Sequence, residues 1–117
     1  MNSLNLKERY IKMDGPAIVN FAISKVIPKL KEFTKPSTEA ILIHQAGKIV
    51  NNLVSNSINK KGKIFMPTNY RNFGNLVSTS IPLVFYQNFK KINLFNEILL
   101  CGFGVGLTHS YIKLIRR

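Results

Sequence analysis

Hydrophobic residues along this chain recur at two spacings, one typical of buried strands and one typical of amphipathic helices. The short apolar run Ile41–Ile43 predicts a buried strand, and His44-Gln45-Ala46-Gly47 follows it at once. An amphipathic helix is predicted directly afterwards. We expect Ala46, Ile49, Val50, Leu53 and Ser57 on its apolar face, and Lys48, Asn51, Asn52, Ser55 and Asn56 on its polar face. The pattern therefore places a histidine at the C-terminal end of a buried strand.

The region before this strand predicts one short strand and one long helix. Tyr10 to Met13 alternates loosely between apolar and polar residues, as a strand does. Asp14-Gly15-Pro16 then supplies a capping residue, a turn and a proline suited to the first helical position. The apolar face of the helix comprises Val19, Ala22, Ile23, Val26, Ile27, Leu30 and Phe33. Because Pro28 lacks a backbone N–H, we expect a kink or break near residues 24–27.

The second half of the chain predicts three further strands and one further helix. The predicted elements are a short strand at Ile64–Met66, a helix from Val77 to Phe89 opened by Gly74-Asn75, a turn at Asn93–Asn96, a strand at Glu97–Cys101, a glycine-rich reversal at Gly102–Gly106, and a strand at Leu107–Ile115. The helix should bend at Pro82, with Ile81, Val84, Phe85 and Phe89 inward. The last two strands are joined so tightly that they must be antiparallel.

The resulting order, β-α-β-α-β-α-β-β, predicts an α/β fold. We expect a mixed, mostly parallel five-stranded sheet with helices packed on it and an antiparallel hairpin at its edge. Residues 1–9 are polar and are predicted to be a flexible lead-in. Residues 10–117 are predicted to form one domain.

Composition places the chain among globular proteins, since 45% of its 117 residues are hydrophobic. No apolar stretch reaches the roughly 18 residues of a membrane span, and the N-terminus has no apolar segment of a signal peptide. The single cysteine, Cys101, cannot form an internal disulfide, so a cytoplasmic location is expected. Neither cysteine pairs nor clustered histidines suggest a metal site.

The formal net charge of +12 would suit nucleic acid, an anionic membrane or an acidic protein partner. The basic residues are scattered, however, with one tight cluster at Lys60-Lys61-Gly62-Lys63. The phenylalanines fall at core-like spacing and do not alternate with basic residues on one exposed face, as in nucleic-acid modules. Nucleic-acid binding is therefore supported by charge alone and is not expected.

Four short motifs occur in a fixed order, each beside a predicted strand end. They are Met13-Asp14-Gly15, His44-Gln45-Ala46, Gly74-Asn75 and Gly102-Phe103-Gly104-Val105-Gly106. Each alone is a weak signal, because a solvent-facing histidine, a helix cap or a hairpin turn would account for it equally well. In this order and spacing, residues 10–115 closely resemble the C-terminal half of the β-ketoacyl-acyl carrier protein synthase III enzymes, which have the thiolase fold.

The resemblance implies a decarboxylative Claisen condensation of malonyl-acyl carrier protein with an acyl thioester, acyl-CoA in this family. His44 and Asn75 match the family residues that donate hydrogen bonds to the malonyl thioester oxygen. Phe103, Gly104, Val105 and Gly106 match the loop that lines the nucleophile, where the Val105 N–H would belong to a second oxyanion hole. We expect these three stretches to converge at one edge of the sheet. No metal or other cofactor is implied.

Several positions depart from the family pattern. Gly47 and Leu76 replace a common asparagine and threonine, Val105 replaces a frequent glycine, and His109-Ser110 replaces a Trp-Gly pair. The position that is often basic, and that binds carrier protein, is Ile49 here. Carrier-protein binding is therefore assigned only weakly, to Lys48, Lys60, Lys61 and Lys63.

The nucleophilic cysteine of the family lies in an N-terminal half that is not part of this sequence. Cys101 lies inside a predicted strand without an activating group, so its expected role is packing. The expected partners are an N-terminal half or separate subunit carrying that cysteine, acyl carrier protein, and a second copy of the whole enzyme. The alternative is a catalytically inactive thiolase-fold half that acts as a carrier-protein interaction module.

Overall fold

The computed structural model of the chain describes residues 12–117. The helices are α1 (Gly15–Phe21), α2 (Ile27–Phe33), α3 (Lys48–Ile58), α4 (Tyr70–Phe73), α5 (Ser80–Gln87) and α6 (Phe89–Ile92). A π-helical segment, Ala22–Val26, joins α1 to α2, and a 3-10 turn, Val77–Thr79, precedes α5. The strands are β1 (Ala40–Ile43), β2 (Glu97–Gly104) and β3 (Thr108–Ile115). Tyr10 and Ile11 of the first predicted strand lie outside the described residues, and Lys12 and Met13 are not in a strand.

The predicted break in the first helix is confirmed, and it takes the form of the π-helical segment. Pro28 has no N–H to donate to the Ser24 carbonyl, so regular i to i−4 bonding fails there. The Ile27 N–H instead donates to the Ala22 carbonyl, five residues back. The Asp14 cap is also confirmed, because its side chain accepts a hydrogen bond from the Ala17 N–H at 2.9 Å.

The sheet has three strands in the order β1-β2-β3, with β1 and β2 parallel and β2 and β3 antiparallel. The mixed α/β sheet and its edge hairpin are confirmed, whereas the prediction of five strands is wrong for residues 12–117. Ile64–Met66 forms a single bridge, between Phe65 and Ala40. Pro67 follows directly and cannot donate to a ladder, which explains why this pairing ends so soon.

The glycine-rich reversal is shorter than predicted. Strand β2 continues to Gly104, and only residues 105–107 form the turn. Gly102 and Gly104 pair with Ser110 and Thr108 of β3, so they are strand residues. Gly106 has φ of +99°, a left-handed conformation that favours glycine, and it is the residue that reverses the chain.

Two hydrophobic clusters lie on opposite faces of the sheet. The first, against α1, α2 and α3, includes Leu30, Ile41, Ile43, Val54, Leu99, Cys101 and Phe103. The second, against α5 and α6, includes Ala40, Leu42, Val84, Ile92 and Ile98. Strand β1 is thus buried on both faces, as its uninterrupted apolar run predicts.

Two helical faces differ from their predictions. Helix α3 begins at Lys48, its residue Ile49 is 73% exposed, and Asn51 and Val54 are buried. The Asn51 amide is drawn inward because it bonds backbone groups at the end of β1, as described below. The predicted helix 77–89 is divided into the 3-10 turn, α5 and α6, and Asn88 separates the last two. Pro82 cannot donate to the Ser78 carbonyl, which accounts for the irregular first turn. Phe89 is 52% exposed and does not point inward.

Candidate functional site

The backbone of His44 is fixed at the C-terminal end of β1. Its N–H donates to the Cys101 carbonyl of β2 at 2.9 Å, which continues the sheet by one residue. Its carbonyl accepts from the Ala46 N–H at 3.1 Å and from Asn51 Nδ2 at 3.3 Å. The Asn51 Oδ1 in turn accepts from the Gly47 N–H at 3.0 Å. Asn51 therefore ties the start of α3 to the histidine, a role that the sequence pattern did not reveal.

The imidazole of His44 is half-buried between α5 and β2. Its Nδ1 lies 2.8 Å from Ser80 Oγ, and its ring meets the Phe103 ring edge-on, with centroids 5.3 Å apart at an angle of 89°. Removal from water lowers the pKa of His44 below its ordinary value of 6.5, and a hydrogen bond with the Val77 backbone opposes this effect more weakly. The ring is therefore neutral at neutral pH and retains one N–H that can donate.

Asn75 follows Gly74, whose φ of +65° ends helix α4. The Asn75 Oδ1 accepts a hydrogen bond from the Val77 N–H at 2.8 Å. This bond engages the amide oxygen, so the NH₂ group is the part of the side chain left for an incoming acceptor. Asn75 is exposed, in contrast to His44, which is half-buried.

Val77 lies next to both predicted donors: its N–H donates to the Asn75 Oδ1, and its backbone is close enough to the His44 ring to oppose weakly the lowering of the His44 pKa. It is the one non-glycine residue between residues 12 and 117 with positive φ, at 53°. For a β-branched residue this conformation is strained, at a cost of about 1–3 kcal/mol. Strain of this kind is common where a backbone is held in place for function.

The predicted glycine-rich loop reaches the site through Phe103. Phe103 is buried and contacts the His44 ring, and Gly104 is the last residue of β2. Val105 is 95% exposed in the hairpin turn, where its carbonyl accepts from the Thr108 hydroxyl at 3.0 Å. The assignment of the Val105 N–H to a second oxyanion hole, and of Gly106 to the loop that lines the nucleophile, stays a prediction.

The four lysines assigned to carrier protein lie at opposite ends of α3. Lys48 is exposed at the first residue of that helix, four positions after His44. Lys60, Lys61 and Lys63 are exposed in the turn beyond the last residue, Ile58. A helix of this length is about 16 Å long, so the four lysines do not form a single patch. Of the four, Lys48 is the one beside His44.

Ser80 is a second site residue, after Asn51, that sequence reasoning missed. It is the first residue of α5, five positions after Asn75, and it is almost completely buried. Ser80 lies four positions before the inward Val84, so a serine on the inward side of the predicted helix was a usable signal, since a buried hydroxyl needs a hydrogen-bond partner.

We expect Val77→Gly to raise the free energy of unfolding by about 1 kcal/mol, because released strain of 1–3 kcal/mol exceeds the entropic cost of a glycine. Val77 is 68% exposed, so little packing is lost. Urea unfolding would measure the change. The matched control is Val105→Gly, an exposed valine without positive φ, which should be slightly destabilising. Equal losses of stability in both variants would contradict strain at Val77.

Between residues 12 and 117, no three or more His, Cys, Asp or Glu side chains are grouped so that they could hold a metal ion. The same residues include no helix that is long and apolar enough to cross a membrane.

The sheet order, the helices on both faces and the His44 cluster define a thiolase-like α/β domain. The crystal structure of 3-oxoacyl-[acyl-carrier-protein] synthase III from Aquifex aeolicus VF5 is similar, with a TM-score of 0.72 at 27% identity over 92% of this chain and 37% of that chain. Residues 30–114 match the family model described as 3-Oxoacyl-[acyl-carrier-protein (ACP)] synthase III C terminal. The chain therefore belongs to this family, and the predicted resemblance is confirmed.

Curated relatives give the same assignment. The chain is 35% identical over 114 residues to the beta-ketoacyl-[acyl-carrier-protein] synthase III of Streptococcus gordonii. The aligned region covers 86% of this chain and 34% of that protein. It is 32% identical over 117 residues to the protein of the same name from Clostridium botulinum. That alignment covers 92% of this chain and 35% of the relative. The chain thus spans about a third of the length of the curated relatives it matches.

Proposed function

We propose that this chain supplies the enolate-stabilising half of a synthase III, which condenses malonyl-acyl carrier protein with an acyl thioester. The observation that supports the proposal best is the half-buried His44 ring at the end of β1, held against the Ser80 hydroxyl and the Phe103 ring, together with an Asn75 side chain whose amide oxygen is engaged by the Val77 N–H. The domain would comprise residues 10–117 and would need no metal or other cofactor.

The proposed chemistry requires hydrogen-bond donors at the thioester oxygen of the malonyl group. When the malonyl carboxylate leaves as carbon dioxide, the electron pair of the broken C–C bond moves toward the thioester carbonyl, and negative charge grows on its oxygen. The His44 N–H and the Asn75 NH₂ would donate to that oxygen. Preorganised donors in a site sheltered from water contribute on the order of 3–4 kcal/mol each to such a transition state.

The carbanion then attacks the carbonyl carbon of an acyl thioester, and the sulfur leaves as a thiolate. Cys101 is unsuited to hold that acyl group, because it is fully buried and burial raises the pKa of its thiol to about 12. We therefore assign the nucleophilic cysteine to an N-terminal half or a separate subunit. The whole enzyme would be a homodimer and would work with acyl carrier protein.

The remaining site residues have supporting roles in this proposal. Phe103 packs against the His44 ring, and Gly104, Val105 and Gly106 would line the space beside the nucleophile. Lys48 would meet the acidic carrier protein nearest the site, and Lys60, Lys61 and Lys63 would do so farther away. Ile49, exposed where the family is often basic, would weaken this docking.

The net charge of +12 favours one second candidate, a catalytically inactive half that binds acidic carrier protein. The two candidates predict different condensation activity when an N-terminal half that carries the nucleophilic cysteine is added. An inactive module would bind carrier protein but would not restore condensation.

We expect the chain alone to give no β-ketoacyl product from acyl-CoA and malonyl-acyl carrier protein, because it has no cysteine placed for acylation. Mixed with the N-terminal part of the Streptococcus gordonii relative, it should give product, detectable by mass spectrometry. The Cys101→Ser variant should behave in the same way in both assays. Product from the chain alone that disappears in Cys101→Ser would refute the packing role of Cys101. Carrier-protein binding without product in the mixture would favour the inactive module.

A further inference from the structure

We propose that Ser80 is a positioning residue that holds neutral His44 in the tautomer with its proton on Nε2. This inference rests on the proposed function, because the tautomer decides whether the free ring nitrogen offers a proton or a lone pair to the enolate oxygen. A lone pair would repel the developing negative charge. The juxtaposition of the Ser80 hydroxyl and His44 Nδ1, at 2.8 Å, carries the proposal.

The hydrogen-bonding capacity of the serine determines the direction of this bond. A hydroxyl has one proton to donate and two lone pairs that accept. The Ser80 Oγ already accepts from the Gln45 N–H at 3.3 Å, and Ser80 is almost completely buried. A buried hydroxyl proton needs an acceptor of its own, and His44 Nδ1, at 2.8 Å, is the acceptor that lies against Oγ, so we infer that Ser80 donates to Nδ1. A neutral imidazole with an accepting Nδ1 carries its proton on Nε2.

The donor to Ser80 is itself held rigidly. The Gln45 side chain is fully buried, with Nε2 donating to the Ile43 carbonyl at 2.9 Å and Oε1 accepting from the Asn69 N–H at 3.0 Å. These bonds fix the Gln45 backbone at the end of β1, so its N–H stays directed at Ser80. The Gln45 N–H therefore holds the Ser80 oxygen in place, and the Ser80 hydroxyl proton is directed at His44 Nδ1.

The Val77 backbone is the competing partner of the ring. Its proximity raises the pKa of His44, whereas burial lowers that pKa more strongly. The protonated ring also carries a proton on Nε2. The only form that would place a lone pair on Nε2 is the neutral Nδ1–H tautomer, and the Ser80 hydroxyl disfavours that form by occupying Nδ1 as a donor.

Nitrogen-15 NMR of the labelled full-length chain tests this assignment, since two-bond couplings distinguish the imidazole tautomers. The only other histidine is His109, so a His109→Gln variant assigns the signals. At a pH above the ordinary imidazole pKa of 6.5, we expect His44 to be in the Nε2–H form. An Nδ1–H form in the unmodified chain would overturn the proposal without any variant.

Variants then separate positioning from simple packing. Ser80→Ala should shift His44 toward the Nδ1–H form, whereas Ser80→Thr, which keeps a hydroxyl, should preserve the Nε2–H form. Ser78→Ala, at an exposed serine two positions away, is the matched control and should change nothing. An unchanged tautomer in folded Ser80→Ala would also overturn the proposal.

The activity measurement is independent of the spectrum. In the mixture with the N-terminal part of a relative, Ser80→Ala should lower kcat for malonyl decarboxylation by up to about 100-fold, the cost of losing one oxyanion donor, and Ser80→Thr should restore most of it. The expected tautomer in a mixture without any decarboxylation would refute the proposed function and leave the tautomer assignment supported. An Nδ1–H tautomer of His44 in an active mixture would refute the role of Ser80 and leave the proposed function standing.

Discussion

His44→Ala is expected to lower malonyl decarboxylation about 100-fold or more in the assembled enzyme, and Asn75→Ala should have a similar effect. Each variant removes one donor to the oxygen on which negative charge develops. The substrate carbonyl carries little charge before reaction, so the loss should appear mainly in kcat and less in KM. Release of carbon dioxide from labelled malonyl-acyl carrier protein would measure it.

The chain offers a matched control for each donor. His109 is an exposed histidine on β3, and Asn72 is an exposed asparagine three positions before Asn75. His109→Ala and Asn72→Ala should leave decarboxylation within a few-fold of the unmodified assembly. A loss in His44→Ala no greater than that in His109→Ala would refute the oxyanion role of His44. The same comparison with Asn72→Ala tests Asn75 separately.

The second large effect is expected in association through residues 76–89. Tyr86 is 79% exposed and Phe89 is 52% exposed, although both are large apolar or aromatic side chains. Phe89 also lines, with Phe85, Leu114 and Ile115, a mostly apolar cleft of about 180 Å³. Exposed apolar surface of this kind is typical of interaction sites. We therefore expect the chain to bind a complementary half through this surface, or to self-associate when that half is missing.

A Tyr86→Glu, Phe89→Glu double variant should weaken this association about 100-fold or more, since each buried aromatic side chain contributes roughly 1.5–3 kcal/mol. Sedimentation velocity over a range of concentrations would measure the dissociation constant. Ile49→Glu is the control, because Ile49 is equally exposed but lies on α3, in the helical layer on the other face of the sheet. A chain that stays monomeric at high concentration and binds no complementary half would overturn the prediction.

Local features of the sequence determined the order of the elements and several of their boundaries. Pro28 broke the first helix because a proline cannot donate a backbone hydrogen bond, whatever its surroundings. The tight connection before β3 required an antiparallel hairpin, and the unbroken apolar run of β1 required burial on both faces. The position of His44 at a strand end followed from the same pattern. These conclusions depend on covalent geometry and periodicity, which are local.

Tertiary contacts decided what local pattern could not. Asn51 is buried and Ile49 is exposed, contrary to the helical pattern, because the Asn51 amide meets backbone groups of His44 and Gly47. Ser80 became part of the site only when α5 packed beside β1 and brought its hydroxyl to the imidazole. The strain at Val77 likewise exists only in the folded chain. A polar residue is buried where a distant partner satisfies its hydrogen bonds, and that partner is set by the packing of the elements, which periodicity does not specify.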